Sequence, residues 1–542
     1  MNNAQIVTVF NNMANLMQIR GDNPRKVQTY RRITRILDSL EDDIIYLYER
    51  HKLTSITGIG TSTAEKIGEI IETGKSTYFE ELKASLPPGV LDLMDISGIG
   101  ASTAARLYQE LNIDSLESLK EALDNHKLRE LRGMGKKTEE NIRRGLEALL
   151  NYKQYKLLGD ILPEIELLVT RLEKLDVVSR ISIVGDLRRK TETVKEVNLL
   201  AECDDTEALK DYISHTDPGV SINVTESGQF DRDMLFLTGS EKHVESIKPL
   251  IEEKALESDW THGKTESEIY NTLGMSFIPP ELREGRGEIQ AAMMGELPQL
   301  VNLNDIKGDL HVHSNWSDGY DTIESMAQTA RNRDYEYIAI CDHSLSSRIA
   351  NGLDVERILN KMISLREISQ EITDIRILMG SEVDILKTGG MDYPDEILEK
   401  LDVVVASIHS GFSDSKSKMT RRIIRAIENK YVDIIAHPTG RLLGKREPYK
   451  VDIDAVIDAA AENNTILEIN AYPERLDLKD EHVFKAREKG VKLAINTDAH
   501  STKDLDLMIY GIYTARRGWL ECKDVINTLS FADLARLLKI KL

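Results

Sequence analysis

The chain has 542 residues and a formal net charge of −21, enough length for three or four domains with separate cores. That charge excludes nucleic-acid binding through one broad basic face, and no apolar run is long enough to span a bilayer. Three separated cysteines, Cys203, Cys341 and Cys522, exclude a disulfide framework and a cysteine zinc site. The opening residues Met1-Asn-Asn-Ala lack the basic and hydrophobic regions of a signal peptide, so a cytoplasmic protein without membrane contact is expected.

Over residues 1–150 acidic and basic side chains nearly balance, which leaves room for local contacts to a phosphate backbone. Helical spacing of apolar residues predicts helices over Asn3–Gln18 and Val27–Leu37, parted by Gly21-Asp22-Asn23-Pro24. Arg25, Lys26, Arg31, Arg32 and Arg35 give the second a basic side. A unit then repeats: Ile56-Thr-Gly58-Ile-Gly60-Thr-Ser-Thr-Ala64, Ile96-Ser-Gly98-Ile-Gly100-Ala-Ser-Thr-Ala104 and Leu131-Arg-Gly133-Met-Gly135-Lys-Lys-Thr138. Each copy sets a Gly-x-Gly turn at the start of a helix, where backbone N–H groups can approach a phosphate.

These units resemble helix-hairpin-helix motifs, which bind DNA through its backbone without reading sequence. Their order, with Asn12–Tyr30 ahead of them, resembles the short amino-terminal and fingers regions of family X DNA polymerases. The resemblance implies a helical lyase-like domain over 1–88 and a fingers-like domain over 89–150. It also implies DNA contacts at Gly58, Gly60, Gly98, Gly100, Gly133, Gly135 and Tyr30, and a monovalent cation at the motifs. In that family a lysine of the first motif's helix can form a Schiff base with an abasic sugar. The matching position is Lys66, for which a solvated lysine or a phosphate contact is an equal expectation.

In the middle, Lys153–Leu175 reads as one long helix or two, and Val178–Val184 and Glu196–Glu202 read as strands. With Gly185-Asp186-Leu187-Arg188-Arg189, Phe236-Leu-Thr238-Gly239-Ser240 and Ile278-Pro-Pro-Glu-Leu-Arg283, residues 151–300 resemble the palm and thumb of the same polymerases, a mixed α+β nucleotidyltransferase-like fold. The departures bear on function. In the family a Gly-Ser-x-Arg-Arg motif cradles the nucleoside triphosphate; Asp186 stands at the serine position and would repel it. The family's Asp-x-Asp pair is replaced by Glu196-Val197-Asn198, and its third aspartate by Ser221. Two-metal phosphoryl transfer needs charged carboxylates, so nucleotide binding and polymerisation are expected to be lost or weak, with at most a magnesium or manganese ion at the palm. The opposing reading places the third strand in another register and lets Glu196 support synthesis.

From 305 to 500 short apolar runs alternate with helical patterns. The runs are Tyr337–Cys341, Ile375–Met379, Val403–Ser407, Val432–Ala436, Thr465–Asn470 and Val491–Asn496; Val355–Ile368 and Met419–Asn429 are examples of the helices. Strand–helix repetition of this kind predicts a parallel barrel, whose chemistry sits at the carboxyl ends of its strands. Most of His311, His313, Asp318, His343, Glu382, His409, His437, Asp498 and His500 lie at or just past such ends, and six of the chain's twelve histidines are in this set. Imidazoles and carboxylates in that number suit two or three clustered divalent ions, with zinc, manganese and iron all compatible. Such clusters generate a hydroxide near neutral pH and neutralise charge on a phosphate ester.

His311-Val-His313, Ser317-Asp318-Gly319, Asp342-His343-Ser344, Gly380-Ser381-Glu382, Ser407-Ile-His409-Ser410, Ala436-His437-Pro438 and Thr497-Asp498-Ala-His500 resemble the successive motifs of the PHP (polymerase and histidinol phosphatase) family. That resemblance implies a distorted (β/α)7 PHP barrel over 301–542 and a phosphoesterase site, with His311, His313, Glu382, His409 and Asp498 central to catalysis. Arg441, just after His437-Pro-Thr-Gly, is a candidate for the substrate phosphate, with a salt bridge at the barrel rim the even alternative. Asp309 and Asp342 are expected to orient imidazole N–H groups.

The expected whole is a monomeric DNA-repair protein of family X type that acts on gapped, nicked or damaged DNA. Its barrel would be a 3′→5′ exonuclease, with abasic-site or 3′-phosphate cleavage open. Two other expectations stand beside it: an active gap-filling polymerase with a nuclease barrel, and a small-molecule phosphoesterase.

Overall fold

The computed structural model describes residues 3–38, 44–96, 98–152, 154–217, 219–255 and 260–540. Met1, Lys153 and Ser97, which belong to segments singled out in the sequence, lie outside the described residues. The chain divides into two compact units, one of Met1–Lys153 with Gly444–Arg446, the other of Gln154–Leu443 with Glu447–Leu542.

The first unit is helical. Asn3–Arg20 and Pro24–Asp38 are the two opening helices, packed through Phe10, Met13, Met17, Val27 and Ile33, which are 5% exposed or less. The three repeated motifs lead into Thr61–Thr73, Ala101–Leu111 and Lys136–Tyr152. In each the first glycine is left-handed, with φ of 99° at Gly58, 95° at Gly98 and 84° at Gly133. That backbone favours glycine because it has no Cβ.

In the second unit, Leu158–Leu172 is one helix, preceded by the two-residue strand Lys156–Leu157 rather than continuing to Lys153. A three-stranded sheet follows: β1 (Val178–Val184), β2 (Val197–Cys203) and β3 (Val220–Val224), ordered β1-β2-β3, with β1 antiparallel and β3 parallel to β2.

The carboxyl-terminal half is a nearly closed parallel barrel. Its seven strands are β4 (Gly308–Val312), β5 (Tyr337–Ile340), β6 (Arg376–Asp384), β7 (Val403–Ser407), β8 (Ile434–Ile435), β9 (Ile466–Asn470) and β10 (Leu493–Asn496), adjacent in chain order. A parallel bridge between Val312 and Ala499 joins the first strand to the segment after the last. All residues of β4, β5, β7, β9 and β10 are buried, which is why these strands read as near-continuous apolar runs. Two differ from the sequence reading. β6 runs on to Asp384, so Glu382 sits inside a strand, and the run Val432–Ala436 narrows to two paired residues.

Candidate metal centre

The barrel gathers the predicted residues at the carboxyl ends of its strands. His311 lies in β4 and His313 follows it; Glu382 lies in β6; His343, His409, His437, Asp498 and His500 follow β5, β7, β8 and β10. Left-handed backbone at His437 (φ 29°) and Asp498 (φ 55°) turns the chain sharply at two of these strand ends, a conformation rare outside glycine.

Three overlapping sets of ligand atoms converge, each within 4.8 Å: His313, Asp318, His343 and His500; His311, His313, Glu382 and Asp498; His343, Glu382 and His409. His437, outside these sets, places Nε2 2.9 Å from Glu382 Oε1. Glu382 is the hub. Its Oε2 is 2.8 Å from His343 Nδ1, 3.5 Å from His311 Nε2 and 3.6 Å from His313 Nε2, while Oε1 is 3.2 Å from His409 Nε2.

The donor set fits divalent metal. Buried polar atoms almost always find a partner. Yet His311 Nε2, both ring nitrogens of His313, His343 Nδ1 and Glu382 Oε2 are buried without a hydrogen bond. They crowd one another instead of pairing, as lone pairs do when they face a common cation. All nine residues can offer such a lone pair, and none of the three cysteines lies among them.

The charges are arranged accordingly. Burial pushes the Glu382 carboxyl up, but His409, His343 and His311 outweigh it and hold it well below its ordinary value. At Asp498 burial is likewise outweighed, by His311, His313 and Arg475. Burial beside His500 and His343 pushes His313 down to about 4, so its ring is a neutral donor of lone pairs.

Behind this cluster stands a set of groups that the sequence reading missed. Glu468, fully buried on β9, accepts from His311 Nδ1 at 2.8 Å through Oε1 and from the His437 backbone N–H at 2.8 Å through Oε2. Asp384 Oδ1 lies 3.2 Å from His409 Nδ1. These carboxylates fix the ring tautomers and turn each Nε2 toward the cluster. Asn470 donates to Asp498 Oδ2 at 3.1 Å. The signal for Glu468 was available: a lone carboxylate inside a buried, mostly apolar strand.

One expectation is corrected here, and of the two even readings of Arg441 the salt bridge is the one seen. Asp309 and Asp342 bond no imidazole. Asp309 accepts from the His311 backbone N–H and from Thr497, and Asp342 from Ser314, Ser317 and the buried Lys361 ammonium at 2.8 Å. They brace the loops that carry the histidines. Arg441 is not free for a phosphate. Its guanidinium is buried, paired through two bonds with Glu192, and donates to the Arg475 and Leu476 carbonyls.

The helical unit shows which of its expected contacts are open. A Cβ built on Gly60, Gly98, Gly100, Gly133 or Gly135 meets no atom within 4 Å, and the helices after Gly60 and Gly100 have no side-chain cap. No side chain therefore occupies the amino ends of those two helices. Tyr30 departs from expectation: it is 9% exposed and packs between Phe10 and Tyr78, with ring centroids 6.0 Å from each. It belongs to the core. Lys66 Nζ donates to Ser62 Oγ at 3.0 Å and lies 5.4 Å from the Tyr78 ring centre.

In the central segment β2 and β3 set Asn198 directly beside Ser221, and Glu196 is exposed just before β2. Asp186 Oδ1 accepts from Arg189 Nη2 at 2.5 Å. Arg188 is committed to Glu266 through bonds of 3.1 and 2.6 Å, and Arg189 also to Glu284 at 2.9 Å. Among the described residues, the sets of three or more metal-competent side chains all lie in the barrel.

Family models match in the same order as these parts: a Helix-hairpin-helix domain over residues 1–76, a SAM-like Helix-hairpin-helix tandem over 90–148 and a PHP domain over 309–472. The protein named DNA polymerase/3'-5' exonuclease PolX from Bacillus subtilis (strain 168) is 37% identical over 99% of this chain and 100% of its own length. The chain belongs to the PolX family. A probable phosphatase of Thermoanaerobacter sp. (strain X514) is 34% identical over 41% of this chain and 89% of its own. A solved histidinol phosphate phosphatase from Lactococcus lactis, in complex with zinc, L-histidinol and phosphate, aligns over 39% of this chain and 93% of its own at 16% identity, with a TM-score of 0.32. In this PolX family member no helix among the described residues is long and apolar enough to cross a membrane.

Proposed function

We propose that this chain processes DNA ends, with the barrel of residues 301–542 acting as a metal-dependent 3′→5′ exonuclease. The observation that carries this is the largely buried convergence of His311, His313, Asp318, His343, Glu382, His409, His437, Asp498 and His500 with several ring nitrogens left unpaired, in a chain colinear with a relative named a 3'-5' exonuclease. Two or three divalent ions held there would lower the pKa of water and offset charge on the phosphate. The chain's own part is to aim the imidazoles, through Glu468 and Asp384, and to keep Glu382 and Asp498 ionised.

The amino-terminal motifs of 1–88 and 89–150 hold DNA by its backbone, through uncapped helix ends beside Gly60 and Gly100. Residues 151–300 form a palm that no longer polymerises. Glu196, Asn198 and Ser221 supply one carboxylate where two-metal transfer uses several, and Arg188 and Arg189 are paired with Glu266 and Glu284 rather than free for a triphosphate.

A second reading, that synthesis survives, is favoured by the same relative's name, which includes DNA polymerase. One assay separates them: a labelled primer beside a short gap, with manganese, with and without nucleotides, comparing the protein with His311→Ala. Shortening that the substitution abolishes supports the nuclease. Extension that persists in the substituted protein refutes loss of polymerisation.

A further inference from the structure

Burying an ammonium is costly unless each of its protons is bonded. Lys361 lies on the helix Val355–Glu371, which packs against β6, and its side chain has no exposed surface. Its Nζ donates to the Ile340 carbonyl at 2.8 Å and to the Gly380 carbonyl at 3.3 Å, and lies 2.8 Å from Asp342 Oδ2. The ammonium thus stands between β5 and β6 with all three protons taken. A methionine would fill this space without desolvating a charge, and a buried ion pair is weak evidence of stabilisation. The pair is explained by what Asp342 holds.

Asp342 is itself fully buried and takes four donors of one loop. They are the Ser314 N–H and Oγ, at 2.8 Å each, and the Ser317 N–H and Oγ, at 3.3 and 2.7 Å. The residue after Ser317 is Asp318. It lies on a turn well beyond the end of β4, and its side chain is 32% exposed, so neither a strand nor close packing fixes its direction. The Ser317 hydroxyl has one proton for two carboxylates, Asp342 Oδ1 at 2.7 Å and Asp318 Oδ1 at 3.2 Å, and the shorter contact is to Asp342. Asp342 therefore grips Ser317 by backbone and side chain together, and with it the peptide that bears Asp318. The Trp316 and Ser317 carbonyls are held separately, by Arg357 and Asn351, which keeps the loop's course without Asp342.

Asp318 belongs to one of the three converging sets, with His313, His343 and His500, and the other two sets do without it. His343, shared between two sets, is fixed by other means. It forms a parallel bridge with Glu382, and the next N–H, of Ser344, donates to the Glu382 carbonyl at 3.0 Å.

Resting on the reading of the barrel as a metal centre, we propose that Lys361 is a positioning residue for a single ion. Acting through Asp342 and Ser317, it sets the direction of the Asp318 carboxylate, and so the affinity of the ion that Asp318 would share with His313, His343 and His500. The remaining positions fill without it.

The test is equilibrium dialysis of the full chain against stepped manganese concentrations, which gives the number and affinity of bound ions with no activity read. Asp318→Ala marks the ion that depends on that carboxylate. In Lys361→Met the same ion binds on the order of 10- to 100-fold more weakly while the others hold. Ser317→Ala breaks the same link and leaves no charge unpaired; it weakens that ion several-fold, and it decides the matter where Lys361→Met does not fold. Equal weakening of every ion, or an unchanged affinity for the marked one, overturns the positioning role and leaves the metal centre standing. A parent protein that retains no manganese overturns the metal centre itself, and this role with it.

Discussion

Arg441 and Glu192, 249 positions apart, form a two-bond ion pair, with Nη1 3.1 Å from Oε1 and Nη2 2.6 Å from Oε2. The guanidinium is 8% exposed and the carboxylate 23%, and Nε donates to the Arg475 carbonyl at 2.9 Å. The pair thus ties the central segment to a loop at the barrel mouth. Removing one partner of a buried pair leaves an uncompensated charge, which costs several kcal/mol. Glu192→Ala is expected to lower stability by roughly 3 kcal/mol, the low end of that range because the carboxylate is partly wet. Glu192→Gln, which can still accept, is expected to cost less. Urea unfolding of the three proteins checks this; equal midpoints would remove the pair from the list of structural ties.

Asp480 supplies a pH dependence whose sign is fixed. Burial would raise its carboxyl, but Arg517 and Arg286, each with Nη2 2.9 Å from Oδ2, outweigh it and hold it at about 2. An unfolded aspartate titrates near ~3.9. A depressed folded pKa contributes stability that is full above the unfolded value and is lost as pH falls toward the folded one. The contribution is on the order of 2 kcal/mol, present above roughly pH 4 and gone near pH 2. Asp480→Asn should be less stable at neutral pH and flatter through that acid window. Parallel profiles for parent and variant, in urea melts at stepped pH, would rule the carboxylate out as the cause.

The metal cluster was legible because its residue types are ones a protein rarely buries, set at the ends of runs it always buries. His311 ends a buried apolar run and His313 follows two residues on, so a reader sees them without a fold. Arg441 was left between two readings for the opposite reason. Its motif lies beside the site, but its partner Glu192 comes from another segment, and no local pattern records a contact across 249 positions. Tyr30 was misread because a resemblance assigns a role by position, whereas the packing of Phe10 and Tyr78 around it is tertiary. Asp309 and Asp342 were placed near the right histidines but given the wrong partner, since sequence proximity does not say which atoms a carboxylate faces. In the central segment Ser221 pairs with Asn198 across two parallel strands, a neighbourhood that the sequence spacing alone does not record.

Gly100 separates a DNA contact from a folding role. Its φ of −89° is open to any residue, and a Cβ there meets nothing within 4 Å. Gly100→Val should therefore fold as the parent does, within the ~0.5 kcal/mol typical of surface changes. The added methyls would stand over the uncapped amino end of helix Ala101–Leu111, where backbone N–H groups are free to meet a phosphate. DNA affinity, read by fluorescence anisotropy at fixed salt, should fall several-fold. An unchanged affinity would exclude this helix end from the DNA contact. Gly98 does not allow the same experiment, because its φ of 95° strains any side chain.

Glu468 gives the sharpest test of the metal centre without touching a ligand. Its two oxygens accept from four donors: His311 Nδ1 and Asn496 Nδ2 at Oε1, and the His437 N–H and Asn470 Nδ2 at Oε2. Only an acceptor-only group satisfies that set. In Glu468→Gln one oxygen becomes an NH2 that must face two donors, so either His311 or His437 loses the bond that orients it. Groups in this position behind metal ligands are worth about 10- to 100-fold in affinity. Glu468→Gln should therefore bind manganese or zinc that much more weakly by titration calorimetry, with nuclease activity recovered at higher metal concentration. Unchanged metal affinity would sever Glu468 from the site. Loss of activity that no metal concentration restores would mean that its charge serves the reaction itself rather than the ligands.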